Sequence, residues 1–504
     1  MSSSLSSLSW PAGFHVIRGQ RQLFVDDQGM ARIENLRRTA HRPVKKGAVI
    51  RPSGPVETAL QTRSAPAWNP EREVFQLWML TSTSLPGVGG TTYAESPDGL
   101  HWVKPILRQK EVNGSLSNNF VTVDPKLEWP ANAMENVVYD PGDPDPAQRY
   151  KGFGHCFGRE PIVSPDGITW KRLDVPKIPA SDESNLSLDQ ENRTFIATVK
   201  HGGPHGRSVF LSTSSDFRSW TKPELIFHAD DQDQILGREW IERRFADATL
   251  QQPALNIPST YNVDVYNMGV FRYEGVYLGM PSMFYQTGKV GGDWPGFAGW
   301  DATSEELATY RKHGDWAGFH HVQLALSRDL RHWQRLGDRQ PFLDLSRLES
   351  GAYDLATILG PSFPVVRGDE LLFYYTGLKS YGGPSPVRGV DRDRGAICLA
   401  VLRRDGFLSL DADEKEGLVL TQPFLLPDGD LHLNVDAGKG SALVQVCDER
   451  GANLVGFEAS EAIRFDLPDA VVRWPQRSLR ELAGKKACLR IRLSRARLFS
   501  YWVG

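Results

Sequence analysis

A seven-residue phrase returns along this chain. SPDGLHW occupies 96–102 and SPDGITW occupies 164–170; relaxing both to Ser-x-Asp-x-x-x-Trp adds SSDFRSW at 214–220 and SRDLRHW at 327–333. A fifth, degraded copy is RRDGF at 403–407. Self-similarity of this kind constrains the fold strongly, because it demands one structural unit written several times. In each copy the Asp and Ser side chains can bond their own backbone, Gly accepts positive φ where it is present, and the Trp covers the reversal. Each copy therefore predicts a β-hairpin.

A second repeat precedes each hairpin, a polar turn followed by an aromatic-rich strand: NPEREVFQLWML (69–80), DPAQRYKGFG (145–154), DQENRTFIA (189–197), RYEGVYLGM (272–280) and RGDELLFYYTG (367–377). Their alternation and β-branched and aromatic content argue for strands. Ahead of each lies another short extended segment, carrying Glu57, Glu135, Asp182, Asp264 and Asp354 in turn. Strand, strand, strand, Ser-x-Asp turn, strand is a propeller blade, so the pattern predicts an all-β chain with a five-bladed β-propeller over 21–407. The N-terminal strand RQLFVDD (21–27) is expected to close the ring by completing the last blade. The fourth unit carries insertions at about 225–260 and 286–319, and the second, where Ser304 is placed to cap a short helix, reads as a lid or rim loop. Residues 1–20 read as a tail, and the turn-rich alternation from 408 to 504 predicts a C-terminal β-sandwich.

Lysine and arginine total 58 against 61 acidic residues, a formal charge of −3 that offers no field for nucleic acid or an anionic surface. A neutral small molecule is the expected partner, and a homo-oligomer is compatible with the sequence. No apolar run of membrane-spanning length and no secretory signal pattern is visible, which predicts a cytoplasmic protein that binds no membrane. Cys156, Cys398, Cys447 and Cys488 lack CxxC spacing and read as reduced buried thiols. The run DPGDPDP (140–146) reads as a turn and no calcium loop, and HGGPHG and the His320–His321 pair lack a third ligand, so no metal is assigned. Walker, dinucleotide and GxSxG motifs are missing, and no cofactor is expected.

In a propeller the first strands of all blades surround one funnel, so their acids converge. Glu57, Glu135, Asp182, Asp264 and Asp354 are accordingly the catalytic candidates, although each alone also reads as a strand-end cap. Glycosidic cleavage needs one protonated carboxyl and one ionised carboxylate, and crowding can drive two such groups apart in pKa. Asn118, Asn119, Asn185, Arg207 and Tyr266 are the expected sugar-binding residues, and Trp240 and Trp316 are further platforms. Phosphorolysis on the same scaffold would draw its phosphate cations from Arg63, Arg159, Lys200 and Arg207. A non-catalytic sugar-binding propeller is the third reading.

In organisation, residues 25–405 resemble the five-bladed propeller glycoside hydrolases, the superfamily of β-fructosidases, arabinanases and xylosidases, and the C-terminal segment is similar to the second domain of the fructosidases. The stretches LFVDD, YAESPDGLHW, SNN, SPDGITW, SDES-N, SDFRSW, YEGVYLG and GDELLFYYTG are more specifically similar to bacterial proteins labelled fructosidase-like. The resemblance implies a glycosidase acting on a small, furanoside-type (fructosyl or arabinosyl) substrate. It implies Glu57 as nucleophile or base, Glu135 as the tuning acid and Asp182 as proton donor. The family's NDPNG, RDP and EC motifs are absent, and the first and third acids are exchanged in type, which keeps Asp264 and Asp354 in competition for these roles.

Overall fold

The computed structural model describes residues 13–53, 56–85, 88–124, 133–134, 136–155, 157–295, 304–313, 315–380 and 393–504. Strands dominate, and the chain divides into two compact units: Arg42–Leu402, and the segment up to His41 together with Arg403–Gly504.

The larger unit is a succession of antiparallel ladders. In the first, Glu57–Gln61 and Ala67–Asn69 share the partner Val74–Thr83, which also pairs with Gly89–Ser96. The second runs Asn136–Tyr139, Tyr150–Gly154, Glu160–Ser164, Thr169–Arg172, and the third Ser184–Asp189, Thr194–Gly203, Gly206–Ser214, Glu224–Phe227. In the fourth, Asn262–Tyr273 pairs with Val276–Val290, which is flanked by Asp315–Val322 and Ala325–Ser327, and Trp333–Arg335 follows. The fifth joins Thr357–Leu359, Glu370–Leu378 and Gly395–Arg403. Its outer strand is Val44–Ile50, paired antiparallel with Gly395–Arg403.

That last pairing corrects the expectation for the N-terminus. Gln22 and Leu23 pair instead with Tyr501 and Ser500, inside the smaller unit. The cause is burial: Phe24, next in sequence, joins that unit's core, its ring 6.1 Å from Tyr501. The RRDGF copy likewise falls in the smaller unit. There, one sheet contains Arg37–Ala40, Leu408–Ala412, Ala496–Val503, Leu431–Asp436 and Asp466–Val471, and a second contains Met30–Glu34, Gly417–Thr421, Lys486–Ser494 and Ser441–Cys447. Both sheets feed one apolar core.

The repeated turns behave as their chemistry requires. Ser96 Oγ accepts from the Gly99 amide at 2.9 Å, Asp98 Oδ1 accepts from the amides of Leu100 and His101 at 2.8 Å, and the Trp102 indole donates to Gly99 O at 3.0 Å. The fourth position is left-handed in every copy: Gly99 at φ 75°, Gly167 at 78°, Phe217 at 60° and Leu330 at 68°. Glycine there relieves strain; Phe217 and Leu330 endure it because both are buried, and Phe217 stacks on Phe153. Backbone and imidazole donors from His101 hold Asp98 well below the usual carboxylate range, and His332 does the same for Asp329. For Asp216, partial burial pushes upward but the amides of Ser219 and Arg218 bring the carboxyl to about 2. These depressed folded values stabilise the protein above the unfolded carboxylate range, and that stabilisation is lost as pH falls through them. The urea midpoint is therefore expected to hold from pH 7 to 5 and to fall steeply below about pH 4.

Two helices lie in the fourth unit's insertions. Ser304–His313 is the short helix expected in the second, and Asp231–Ala246, opened by a reciprocal Asp230–Asp233 capping box, is a helix the repeat pattern did not reveal in the first. No helix among the described residues is long and apolar enough to cross a membrane.

Buried hydrogen bonds tie the first strands into a circuit. Ser64 Oγ accepts from the Val137 amide (2.8 Å), Asn136 donates to Ser184 Oγ (3.0 Å), and Asn185 accepts from Asn267 (2.9 Å). Asn185 also donates to Ser362 Oγ (3.2 Å), which donates to Arg63 O (2.7 Å) and returns the circuit to the first ladder.

Candidate functional site

Arg63, Glu183, Lys200 and Asp264, on or beside these ladders, are charged and buried, an arrangement that costs free energy unless every charge is met. Arg63 of the first ladder grips Glu183, just ahead of the third, through two parallel bonds of 2.9 and 2.7 Å. These ladders are not consecutive, so the fork ties the first ladder directly to the third. Beside it Lys200, almost fully buried, donates to Asp182 at 2.8 Å and lies 4.0 Å from the centre of the Tyr266 ring. The third strand then opens at Gly206 and Arg207, which meet Asp264 of the fourth ladder.

Asp264 is 1% exposed. Its Oδ2 accepts from the Arg207 amide at 3.1 Å, Arg207 Nη1 at 3.0 Å and Gln286 Nε2 at 2.8 Å. Its Oδ1 is buried with no hydrogen-bond donor among the described residues. Burial raises this carboxyl above its ordinary range, outweighing the pull of Arg207 and Lys200. Asp182 moves the other way: its partial burial pushes upward, but the charge and hydrogen bond of Lys200 bring it below the ordinary range. The same two cations thus act on two carboxyls displaced in opposite directions. Behind them His320 stacks on Phe284 at 4.3 Å, with Nδ1 3.2 Å from Thr357 Oγ1. Burial and then the charge of Arg207 depress His320 well below the usual histidine range, which keeps the ring neutral.

The sequence candidates separate into groups. Asp182, Asp264, Arg207 and Tyr266 gather around Lys200. Glu57 accepts from the Ser53 amide and pairs with Lys104, and Asp354 pairs with Lys45 at 2.7 Å and accepts from Tyr375 at 2.9 Å. Each of these two acids is thus neutralised by a lysine of its own. Glu135 lies outside the described residues. Asn185 belongs to the hydrogen-bonded circuit, while Asn118 and Asn119 donate to the carbonyls of Lys110 (2.8 Å) and Tyr93 (2.7 Å). Trp240 packs edge-on against His321, and Lys289 lies over Trp316. Among the described residues no group of three or more His, Cys, Asp or Glu side chains is placed to hold a metal ion.

No protein-family model matches the chain, and a search of curated proteins finds no match. Solved structures do align. One described as a glycoside hydrolase covers 72% of this chain and 92% of its own at 11% identity and a TM-score of 0.41. The catalytic domain of the Coprinopsis cinerea GH62 alpha-L-arabinofuranosidase covers 72% and 97% at 11% identity and a TM-score of 0.40. The Bombyx mori GH32 beta-fructofuranosidase covers 92% and 93% at 9% identity and a TM-score of 0.38. At these scores the likeness assigns no activity to this chain.

Two participants, Glu183 and Gln286, escaped the sequence reading, and His320 was weighed there only as a metal ligand. Glu183 was legible in principle as the neighbour of Asp182, since both acids of that pair meet buried cations, Asp182 on Lys200 and Glu183 on Arg63. Gly206 leaves no room for a side chain, with φ 112° and a Cβ that would lie 2.9 Å from Asp264 Oδ2. Gly206→Ala is expected to destabilise the larger unit by about 1–3 kcal/mol in urea titration and to displace Asp264 from Arg207.

Proposed function

We infer that the larger unit is a five-bladed β-propeller carrying a glycoside-cleaving site, with Asp264 as proton donor and Asp182 as the ionised carboxylate. The observation that carries this reading is geometric: Asp182 is paired with Lys200 and Asp264 with Arg207, two cations that flank the Tyr266 ring, and burial raises the Asp264 carboxyl while Lys200 lowers that of Asp182. Opposed displacement of neighbouring carboxyls supplies the acid and the base that glycosidic cleavage requires. Asp264 would protonate the leaving oxygen, while Asp182, half-exposed, attacks the anomeric carbon or activates water. The assignment departs from the donor role that the family resemblance implies for Asp182. Tyr266 offers a sugar platform, and the substrate proposed is a small furanoside-type (fructosyl or arabinosyl) oligosaccharide or conjugate.

A panel of 4-nitrophenyl furanosides and pyranosides together with sucrose-type fructosides tests the reading, by release of nitrophenol or free sugar. Turnover of at least one furanoside is expected. Sugars that bind but are never cleaved would replace the enzyme with a carbohydrate-binding protein.

A further inference from the structure

Arg159 occupies, in the second ladder, the place that Arg207 holds in the third: each follows a glycine of positive φ (Gly158, 72°; Gly206, 112°) at the hairpin leading into the third strand. Their environments differ. Arg207 meets Asp264, whereas Arg159, 3% exposed, places Nη1 on the His155 carbonyl at 2.6 Å and leaves Nε and Nη2 buried with no acceptor among the described residues. A guanidinium removed from water without an anion is destabilising. Val163, an even number of residues further along the extended segment, packs with Ile178 and Leu186 of the neighbouring core, so period-two alternation turns Arg159 toward the third ladder. The acids that begin that ladder are already taken: Asp182 by Lys200 and Glu183 by Arg63.

We propose that Arg159 is an oxyanion-binding residue, presenting Nε and Nη2 to a phosphate-type or carboxylate group brought in with the substrate. A forked guanidinium suits two oxygens of such a group. The anion comes either from inorganic phosphate acting as acceptor or from an acidic group on the glycoside. In the first case a phosphate oxygen bonds to the anomeric carbon as the glycosidic C–O bond breaks, the leaving oxygen takes the Asp264 proton, and sugar 1-phosphate is released. That step rests on the glycosidase reading; the binding claim does not.

The test is differential scanning fluorimetry and calorimetry of the full chain with inorganic phosphate, against chloride at equal ionic strength. Wild type is expected to bind phosphate saturably and gain about 2 °C or more at saturation. Arg159→Met is expected to melt about 2–4 °C higher without phosphate, through relief of the unmet charge, and to lose the phosphate response. Arg159→Lys should retain a response weakened at least tenfold. A lower melting point for Arg159→Met, which would mean that the cation is already compensated within the protein, overturns the proposal, as does phosphate binding that survives the substitution or never occurs. Once binding is established, sugar 1-phosphate formed from a neutral aryl glycoside identifies inorganic phosphate as the source, and selective cleavage of phosphorylated or carboxylated glycosides identifies the substrate's own anion.

Discussion

Asp264→Asn is expected to lower kcat/KM on a cleaved glycoside by about 10²–10⁴ while leaving the melting temperature unchanged or raised. The two halves of this result follow from the same burial. Asp264 lies dry, and its carboxyl is raised above the ordinary range chiefly by desolvation. A carboxyl whose folded value exceeds its unfolded one binds its proton more tightly when folded, so its favourable contribution is complete below the unfolded value and is lost as pH rises through the folded one. At neutral pH the ionised group is therefore a liability, and a neutral amide of the same shape removes it. Asn still presents an oxygen to Arg207 and Gln286, so the geometry has reason to persist. A purely structural aspartate would give the opposite sign, with lost stability and no special effect on turnover. The pH profile supplies an independent check. A proton donor must be protonated, so the basic limb of kcat/KM belongs to Asp264, and the acidic limb to Asp182, which Lys200 holds low. Gln286→Leu removes a donor to the ionised form and should move the basic limb upward, a displacement that a passive packing role would not produce.

How much of this was legible from residues alone divides along local and long-range lines. The Ser-x-Asp turns were readable because their bonds close within three residues, as Asp98 and Ser96 show. The ladders were readable because polar turns such as Asn69 to Arg72 cap aromatic strands by bonding their own backbone. The helix Asp231–Ala246 had local signals as well, an aspartate cap and Arg238–Glu242 and Glu239–Arg243 pairs four residues apart, hidden by its place in an insertion that breaks the repeat. By contrast, Val44–Ile50 finds Gly395–Arg403 some 350 residues away, and Gln22–Leu23 finds the last strand of the chain. Nothing in either short segment distinguishes those destinations. The site follows the same rule: Asp264, Arg207 and Tyr266 were predicted from blade position, but Gln286 and His320 enter from the second and third strands of a ladder whose register depends on bulges. Asn118 and Asn119 show the converse, since amides suited to sugar hydroxyls donate to backbone carbonyls here.

Arg63→Met should be among the most damaging single changes to stability, about 3–5 kcal/mol in the urea transition of the larger unit. Arg63 and Glu183 are both nearly inaccessible to solvent, and the guanidinium supplies two charge-assisted bonds to the carboxylate. Removing one partner strands the other charge where no water can replace it, so the penalty greatly exceeds that of an exposed pair, whose median is about 0–1 kcal/mol. Arg63→Met combined with Glu183→Gln should recover most of the loss, because the isolated charge is then gone and only the bonds are forfeited. The backbone argument adds a control: the Arg63 carbonyl, which accepts from Ser362, is untouched by either substitution, so the hydrogen-bonded circuit survives. The Arg63–Glu183 fork is then measured separately from the circuit. Glu183 also lies close enough for its charge to support that of Lys200, whose own value burial lowers. A double variant that regains stability but shifts the acidic limb of turnover would show that the fork both fastens the first strand to the third and sets the charge balance around Asp182; recovery of neither would mean that the two side chains are held apart from that balance.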